Sequence, residues 1–279
     1  MNEQFPLTMC DAVSAWDNVR TSRPLVYNIT NYVTMPEQAH ATLAIGASPV
    51  MAPSKEEAAQ MCANADALLL NTGTPSPDSL EAMLQALSVA NNRNIPVVLD
   101  IVGSGATTFR DEAIRHILAN GRMTVLKGNY GEIMALSGLR GTVRGVDSTC
   151  QDTNDMIETT TQLAEQYCTA IIATGKLDYL TVGSHVYNIS GGSELLSHMT
   201  GSGCMLGSII AAVLGANGKP AASSIAALLA MKLTSERAAN KDRAIGTFRV
   251  RLFDELSHLT GEDIASGQNH VQLVREPFA

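Results

Sequence analysis

Pro96-Val97-Val98-Leu99-Asp100-Ile101-Val102 is the stretch on which the fold turns. As an extended strand it is apolar on both faces apart from one carboxylate, so neither face suits water. Such a strand belongs inside a parallel sheet that helices cover on both sides. Its neighbours fit. SPDSLEAMLQALSVANNR before it is a long helix with Ser76 as cap, and a second helix falls near 108–120. The alternation continues toward the N-terminus. PLVYNIT (24–30), ASPVM and ALLLN (67–71) read as strands, PEQAHATLAIG as a helix closed by Gly46, and EEAAQMCANA as helical. Toward the C-terminus, MTVLKGN (123–129) is a strand and GEIMALSGL a helix ended by Gly138. Residues 140–152 read as an irregular loop and 153–168 as a helix. TAIIATG is a strand, and LTVGS with HVYNIS forms an antiparallel hairpin. Helices near 203–215, 220–238 and 248–260 complete the chain, with a polar, irregular tail from Gly261. This pattern predicts an α/β fold around a mostly parallel sheet, and with no linker or repeat it predicts one domain over residues 1–279.

Composition narrows the function. The 279 residues are 45% hydrophobic and only 16% charged, so much of the surface is uncharged or hidden, as in a protein with subunit contacts. A net charge of −8 argues against nucleic acid and anionic membranes as partners. Cys10, Cys62, Cys150, Cys168 and Cys204 are widely spaced and odd in number, as expected of reduced cytosolic thiols rather than disulfides or a zinc site. The N-terminal residues lack a signal-peptide pattern, and the longest strongly apolar run, Cys204 to Ala216, is too short to span a bilayer. A cytoplasmic enzyme is the expectation, and the Asn28 and Asn188 sequons are then chance matches.

Ligands of such sheets bind beyond the carboxyl ends of the strands, and four segments sit there. The sharpest is Thr200-Gly201-Ser202-Gly203-Cys204, which enters an apolar helix. The unpaired N–H groups of a helix start and its positive end make an anion site, and glycines let the backbone come close. The plainer reading is a tight helix entry with a small buried cysteine. Neither the Walker loop nor the dinucleotide fingerprint is present; after Gly103-Ser104-Gly105 the third glycine is replaced by Thr108. The second segment is Asp100, a carboxylate that is costly to bury unless paired or metal-bound, or that caps the next helix. It suits hydrated magnesium. Asn129 and Glu132, with Lys127 just before them, are the third. An amide and a carboxylate three apart suit magnesium and its waters, and equally suit a helix-capping box, while Lys127 can meet a phosphate. The fourth, Ala173-Thr174-Gly175, can touch nucleotide or serve as an ordinary turn. Together these are the parts of phosphoryl transfer: a metal tether, a cation and an anion cradle.

Over residues 15 to 260 the chain resembles the hydroxyethylthiazole kinase family of the ribokinase-like group. Asn28-Ile29-Thr30-Asn31 and Ala44-Ile45-Gly46-Ala47-Ser48-Pro49-Val50-Met51 carry the family likeness; the VLD, GNxxE, ATG and TGSGC segments belong to the wider superfamily. The resemblance implies a ribokinase-like three-layer α/β/α fold. It implies Mg2+-dependent transfer from ATP to the hydroxyl of 4-methyl-5-(2-hydroxyethyl)thiazole, giving its phosphate and ADP for thiamine biosynthesis or salvage. It also implies a homotrimer with sites at subunit boundaries. On this likeness Met51, Gly201, Asn31 and Thr30 bind the thiazole and Lys127 and Thr174 contact ATP. Gly201, Ser202, Gly203 and Cys204 form the anion hole, Asp100, Glu132 and Asn129 serve the metal, and Cys204 is the catalytic residue, orienting the alcohol and accepting its proton late. Three positions depart from the family: Lys127 replaces an Arg, removing two-point phosphate binding, Ile101 replaces Pro, and Ser104 replaces Val. The rival readings are a hydroxymethylpyrimidine or pyridoxal kinase, which lacks the first two motifs, and a non-catalytic nucleotide or thiazole sensor.

Overall fold

The structure is a computed structural model that describes residues 7–138, 153–241 and 243–276; the loop expected over 140–152 thus lies outside the described residues. The chain begins with α1 (Met9–Ser22), then alternates β1 (Leu25–Ile29), α2 (Met35–Ala44), β2 (Ser48–Met51), α3 (Ala58–Ala63), β3 (Ala67–Asn71), α4 (Pro77–Arg93), β4 (Val97–Asp100), α5 (Thr108–Asn120), β5 (Val125–Asn129) and α6 (Tyr130–Leu136). After α7 (Thr153–Tyr167) come β6 (Ala170–Thr174) and the hairpin β7 (Asp178–Val182) and β8 (His185–Ile189). A 3-10 turn (Glu194–His198) leads to α8 (Ser202–Asn217), α9 (Pro220–Lys241), α10 (Ile245–His258), α11 (Gly261–Ser266) and β9 (Val271–Arg275).

The strands form one nine-stranded sheet in the order β2-β1-β3-β4-β5-β6-β7-β8-β9. The first six in that order run parallel and the last three pair antiparallel. β3 and β4 are buried at every position, as their apolar sequences require of strands covered on both faces. Alternate residues feed two cores. Leu69, Val98, Val125 and Ile172 pack under α8, α9 and α1, while Leu68, Leu99, Leu126 and Ile171 pack against α4, α6 and α7. This is the three-layer arrangement expected. Ser76 caps α4 by accepting from the Ser79 N–H at 3.1 Å, and Gly46 follows α2 at φ 93, a backbone angle that favours glycine.

Two regions differ from the sequence reading. α1 was not anticipated; Ala12, Ala15, Trp16 and Val19 fall on one buried stripe, and the Trp16 indole donates to the Leu259 carbonyl at 3.1 Å. The segment after Gly261 is regular rather than irregular. Thr260 and Asp263 form a capping box for α11, and β9 pairs with β8. Its polar composition reflects the edge of the sheet, where only part of a strand is covered.

Candidate active site

The carboxyl ends of β1, β3, β4, β5 and β6 line up, and the N-terminus of α8 arrives above them. α8 is buried from Cys204 to Leu214, so its placement is fixed by packing along its whole apolar length. Gly201 is its N-cap at φ 89, ψ 1; a Cβ there would lie 2.6 Å from Thr34 Cγ2, so only glycine fits both the angle and the space. Ser202 turns its hydroxyl away to the Leu196 carbonyl at 2.8 Å. A Cβ on Gly203 would sit 3.8 Å from Lys127 Nζ, and one on Gly207 would sit 3.3 Å from Asp100 Oδ2. The first turn of α8 therefore rests directly on the side chains of β4 and β5.

Those side chains form a row. The parallel register sets Asn71 beside Asp100 and Asp100 beside Lys127, all facing α8. Asp100 is fully buried and accepts from Lys127 Nζ at 2.8 Å through Oδ1 and from Asn71 Nδ2 at 2.9 Å through Oδ2. It is paired rather than a cap: α5 is capped by Thr107, which accepts from the Arg110 N–H. Burial pushes the Asp100 carboxyl up, while the Lys127 charge and the hydrogen bonds from Lys127 and Asn71 pull it down. Burial also opposes the Lys127 charge, but Asp100, then Cys204, outweighs it and the ammonium lies above its ordinary value. The net direction for the Asp100 carboxyl is upward, and the two side chains form a buried pair at 2.8 Å.

A polar chain continues from this row toward β1. Asn31 Nδ2 donates to Asn71 Oδ1 at 2.9 Å and lies 3.4 Å from Cys204 Sγ. Asn31 Oδ1 accepts from both the N–H and the hydroxyl of Thr34, each at 3.0 Å. Gln38 donates to the Thr34 hydroxyl and accepts from Thr30 and Ser208. Cys204 is buried at the centre of this chain. Burial pushes its thiol up, the Asp100 charge adds to that, and Lys127, Thr34 and Asn71 oppose it. The net direction is upward, so the helix start does not make a resting thiolate.

Asn129 and Glu132 form the capping box: Asn129 Oδ1 accepts from the Glu132 N–H at 2.9 Å, and Glu132 Oε2 accepts from the Asn129 N–H at 2.7 Å. The other Glu132 oxygen accepts from the Gly103 N–H at 2.8 Å, which ties the turn after β4 to the start of α6. Burial, then the Asp100 charge, raises the Glu132 carboxyl. Thr174 ends β6 beside Asn129 and donates to the Gly128 carbonyl at 3.3 Å. Met51 stands apart on the edge strand β2, beside Asn28. The structure thus brings Asn31, Asp100, Lys127, Gly201, Gly203 and Cys204 into one contact network. Asn129, Glu132 and Thr174 lie on its flank.

Among the described residues, no three His, Cys, Asp or Glu side chains are grouped to chelate a metal. The oxygens of Asp100 and Glu132 already accept protein hydrogen bonds, which suits contact with a hydrated ion through its waters. The sequence reading missed Asn71, Thr34, Gln38 and Arg110. Arg110 donates to the carbonyls of Thr72, Gly73 and Val102 and so braces two turns at the mouth of the site. Asn71 had a signal, a polar residue closing the apolar run ALLLN; a helix-surface arginine such as Arg110 had none.

Comparison with known proteins gives a family match and similar folds. The model of the hydroxyethylthiazole kinase family matches residues 16–262. A hydroxyethylthiazole kinase of Caldivirga maquilingensis is 42% identical over 263 residues, covering 94% of this chain and 95% of that protein. The solved structure of the hydroxyethylthiazole kinase protein from Pyrococcus horikoshii superposes with a TM-score of 0.86 at 36% identity, covering 95% of this chain and 99% of that one. A Bacillus subtilis pyridoxal kinase in complex with ADP, at 14% identity and a TM-score of 0.57 over 76% of this chain and 91% of that one, shares the fold.

Proposed function

The chain belongs to the hydroxyethylthiazole kinase family, and on that premise we propose that it transfers the terminal phosphoryl group of ATP to the hydroxyl of 4-methyl-5-(2-hydroxyethyl)thiazole, in thiamine biosynthesis or salvage. One observation carries the reading: the first turn of α8 sits over a buried Asp100–Lys127 pair, with Cys204 3.4 Å from Asn31 on the β1 side. An anion cradle, a cation and an alcohol-facing side chain meet at one point.

The residues divide the work. Gly201, Gly203 and Cys204 present backbone N–H groups to the phosphoryl group in transfer, and a well-placed donor of this kind contributes about 3–4 kcal/mol to the transition state. The Ser202 N–H instead donates to the Met199 carbonyl at 3.4 Å. Lys127 and Thr174 hold ATP. Thr30, Asn31, Gly201 and Met51 hold the thiazole. Asp100, Glu132 and Asn129 would hold a hydrated Mg2+ arriving with ATP, which would supply neutralisation of phosphate charge. Cys204 orients the hydroxyl. Late acceptance of the proton requires the thiolate, which the raised thiol holds scarce at neutral pH; orientation is therefore its larger role. A loose transition state needs little deprotonation before attack.

A homotrimer with sites at subunit boundaries accords with a flank of exposed apolar side chains: Tyr32 and Val33 after β1, Leu43 on α2 and Val250 on α10. Among the described residues no helix is long and apolar enough to cross a membrane, and the free, widely spaced cysteines among them support a cytoplasmic location. The test is a coupled ADP-release assay with the thiazole alcohol, the hydroxymethylpyrimidine and pyridoxal as acceptors, with and without magnesium. Magnesium-dependent turnover of the thiazole alcohol is expected. Preference for another alcohol, or binding without ADP release, overturns the assignment.

A further inference from the structure

α9 carries three polar side chains at i, i+3 and i+4 that reach into the sheet end beside the site: Lys232, Ser235 and Glu236. Lys232 is buried and pairs with the equally buried Asp178 at 2.9 Å, with side-chain exposures of 8% and 6%. Asp178 spends its other oxygen on the N–H of Gly175, at 2.9 Å. Gly175 follows Thr174 and packs on Tyr130, where a Cβ would approach the ring to 2.9 Å. Tyr130 in turn bonds the Leu177 carbonyl. The same helix also holds the loop after β8. The Gly192 N–H donates to Glu236 at 2.6 Å and the Ser193 N–H to Ser235 at 3.1 Å. Gly192, at φ 89, leaves room for the Lys232 stem, since a Cβ there would fall 2.8 Å from Lys232 Cδ.

A buried ion pair is a poor way to gain stability, because desolvation offsets most of the attraction and a packed apolar pair serves as well. What the charge pair provides here is a fixed carboxylate aimed at one N–H of one turn. We infer that Asp178 and Lys232 are positioning residues for the nucleotide: through the Gly175 N–H they set the turn that presents Thr174 to ATP, and they have no part in holding the alcohol. The inference rests on the reading of Thr174 as a nucleotide contact.

The test compares Asp178→Ala, Lys232→Met and the double variant Asp178→Asn/Lys232→Met in the full chain. Calorimetric titration gives the Kd for ADP and for the thiazole alcohol separately, steady-state assays give KM for ATP and kcat, and thermal melting reports folding. Asp178→Ala is expected to weaken ADP binding and raise the ATP KM about tenfold, the scale of one lost hydrogen bond to a buried group, with thiazole affinity within about twofold of wild type. The double variant keeps an acceptor for Gly175 and removes both charges together, so its ADP affinity is expected to return to within about threefold of wild type. It also stays informative if the alanine variant does not fold. Equal losses for both ligands, a lower melting temperature with unchanged ADP affinity, or a folded double variant without recovery would each overturn the inference. Failure of wild-type protein to bind ADP or turn over the thiazole alcohol would instead sink the kinase assignment on which it stands.

Discussion

Gly201→Ala tests the join between the anion cradle and the alcohol side. Two costs add. The backbone at φ 89 disfavours any residue with a Cβ by about 1–2 kcal/mol. The new Cβ would also lie 2.6 Å from Thr34 Cγ2 and 2.8 Å from Thr34 Cβ, an overlap worth about 1–3 kcal/mol once the surroundings shift. The total is about 2–5 kcal/mol, read as a fall in the urea midpoint at constant slope. Activity should drop by more than stability implies. Thr34 donates twice to Asn31, and Asn31 links Cys204 to the Asn71–Asp100 row, so a displaced Thr34 misaligns the thiol. Adding Thr34→Ser removes the methyl at 2.6 Å and keeps the hydroxyl. The double variant should recover the part of the steric loss due to the methyl, while the 2.8 Å contact with the Cβ at position 34 and the backbone share remain. An unchanged urea midpoint in Gly201→Ala, or no recovery on adding Thr34→Ser, refutes the reasoning.

Three further expectations follow from the same geometry. Cys204→Ala should lower kcat about 10–100-fold while leaving ATP binding intact, the scale of a lost positioning or proton-accepting group. Because burial raises the thiol, any thiolate contribution to kcat should grow with pH above the ordinary thiol range and be missing from Cys204→Asp; full activity in the alanine variant removes the thiol from the reaction. Lys127→Met should cost about 3–5 kcal/mol in denaturant unfolding by stranding the Asp100 charge, and Lys127→Met/Asp100→Asn should regain most of the stability with no activity. Asp263 is held at about 2 by Arg237, then by Thr260, against burial. A depressed carboxylate adds stability above its unfolded value near 3.8 and loses it as pH falls through about 2. The exposed geometry limits this to about 0.5–1 kcal/mol, so Asp263→Asn should trail wild type by that much at pH 7 and converge with it in acid.

The sheet was legible because its strands are short, apolar and punctuated by glycine, proline or a cap. Asp100, Lys127, Asn129 and Thr174 were legible as strand-end positions, since polar residues closing apolar strands point at a ligand. Asn129 and Glu132 had two readings, and the capping box is present; the Glu132 carboxylate also feels the Asp100 charge. Partnerships were not legible. Nothing in the sequence ties Asn31 to Asn71, 40 positions away, or Asp178 to Lys232, because such pairs exist only after crossover helices set the register. The thiol's direction was hidden for the same reason: it depends on Asp100 and on burial, neither of which is local to Cys204. The ordered C-terminal segment was missed because an edge strand needs less hydrophobicity than a central one.

The strand order has a consequence for synthesis. Successive strands are mostly neighbours in the sheet, so each can join as it leaves the ribosome. The layer formed by α8 and α9 arrives late, since it begins only at Ser202. Until then Val26, Leu69, Val98, Val125 and Ile172 lie on an apolar face that α8 and α9 do not yet cover. The nascent chain must pass through that state, so translation pausing before α8 is emitted should be the interval when chaperones matter most and self-association is most damaging.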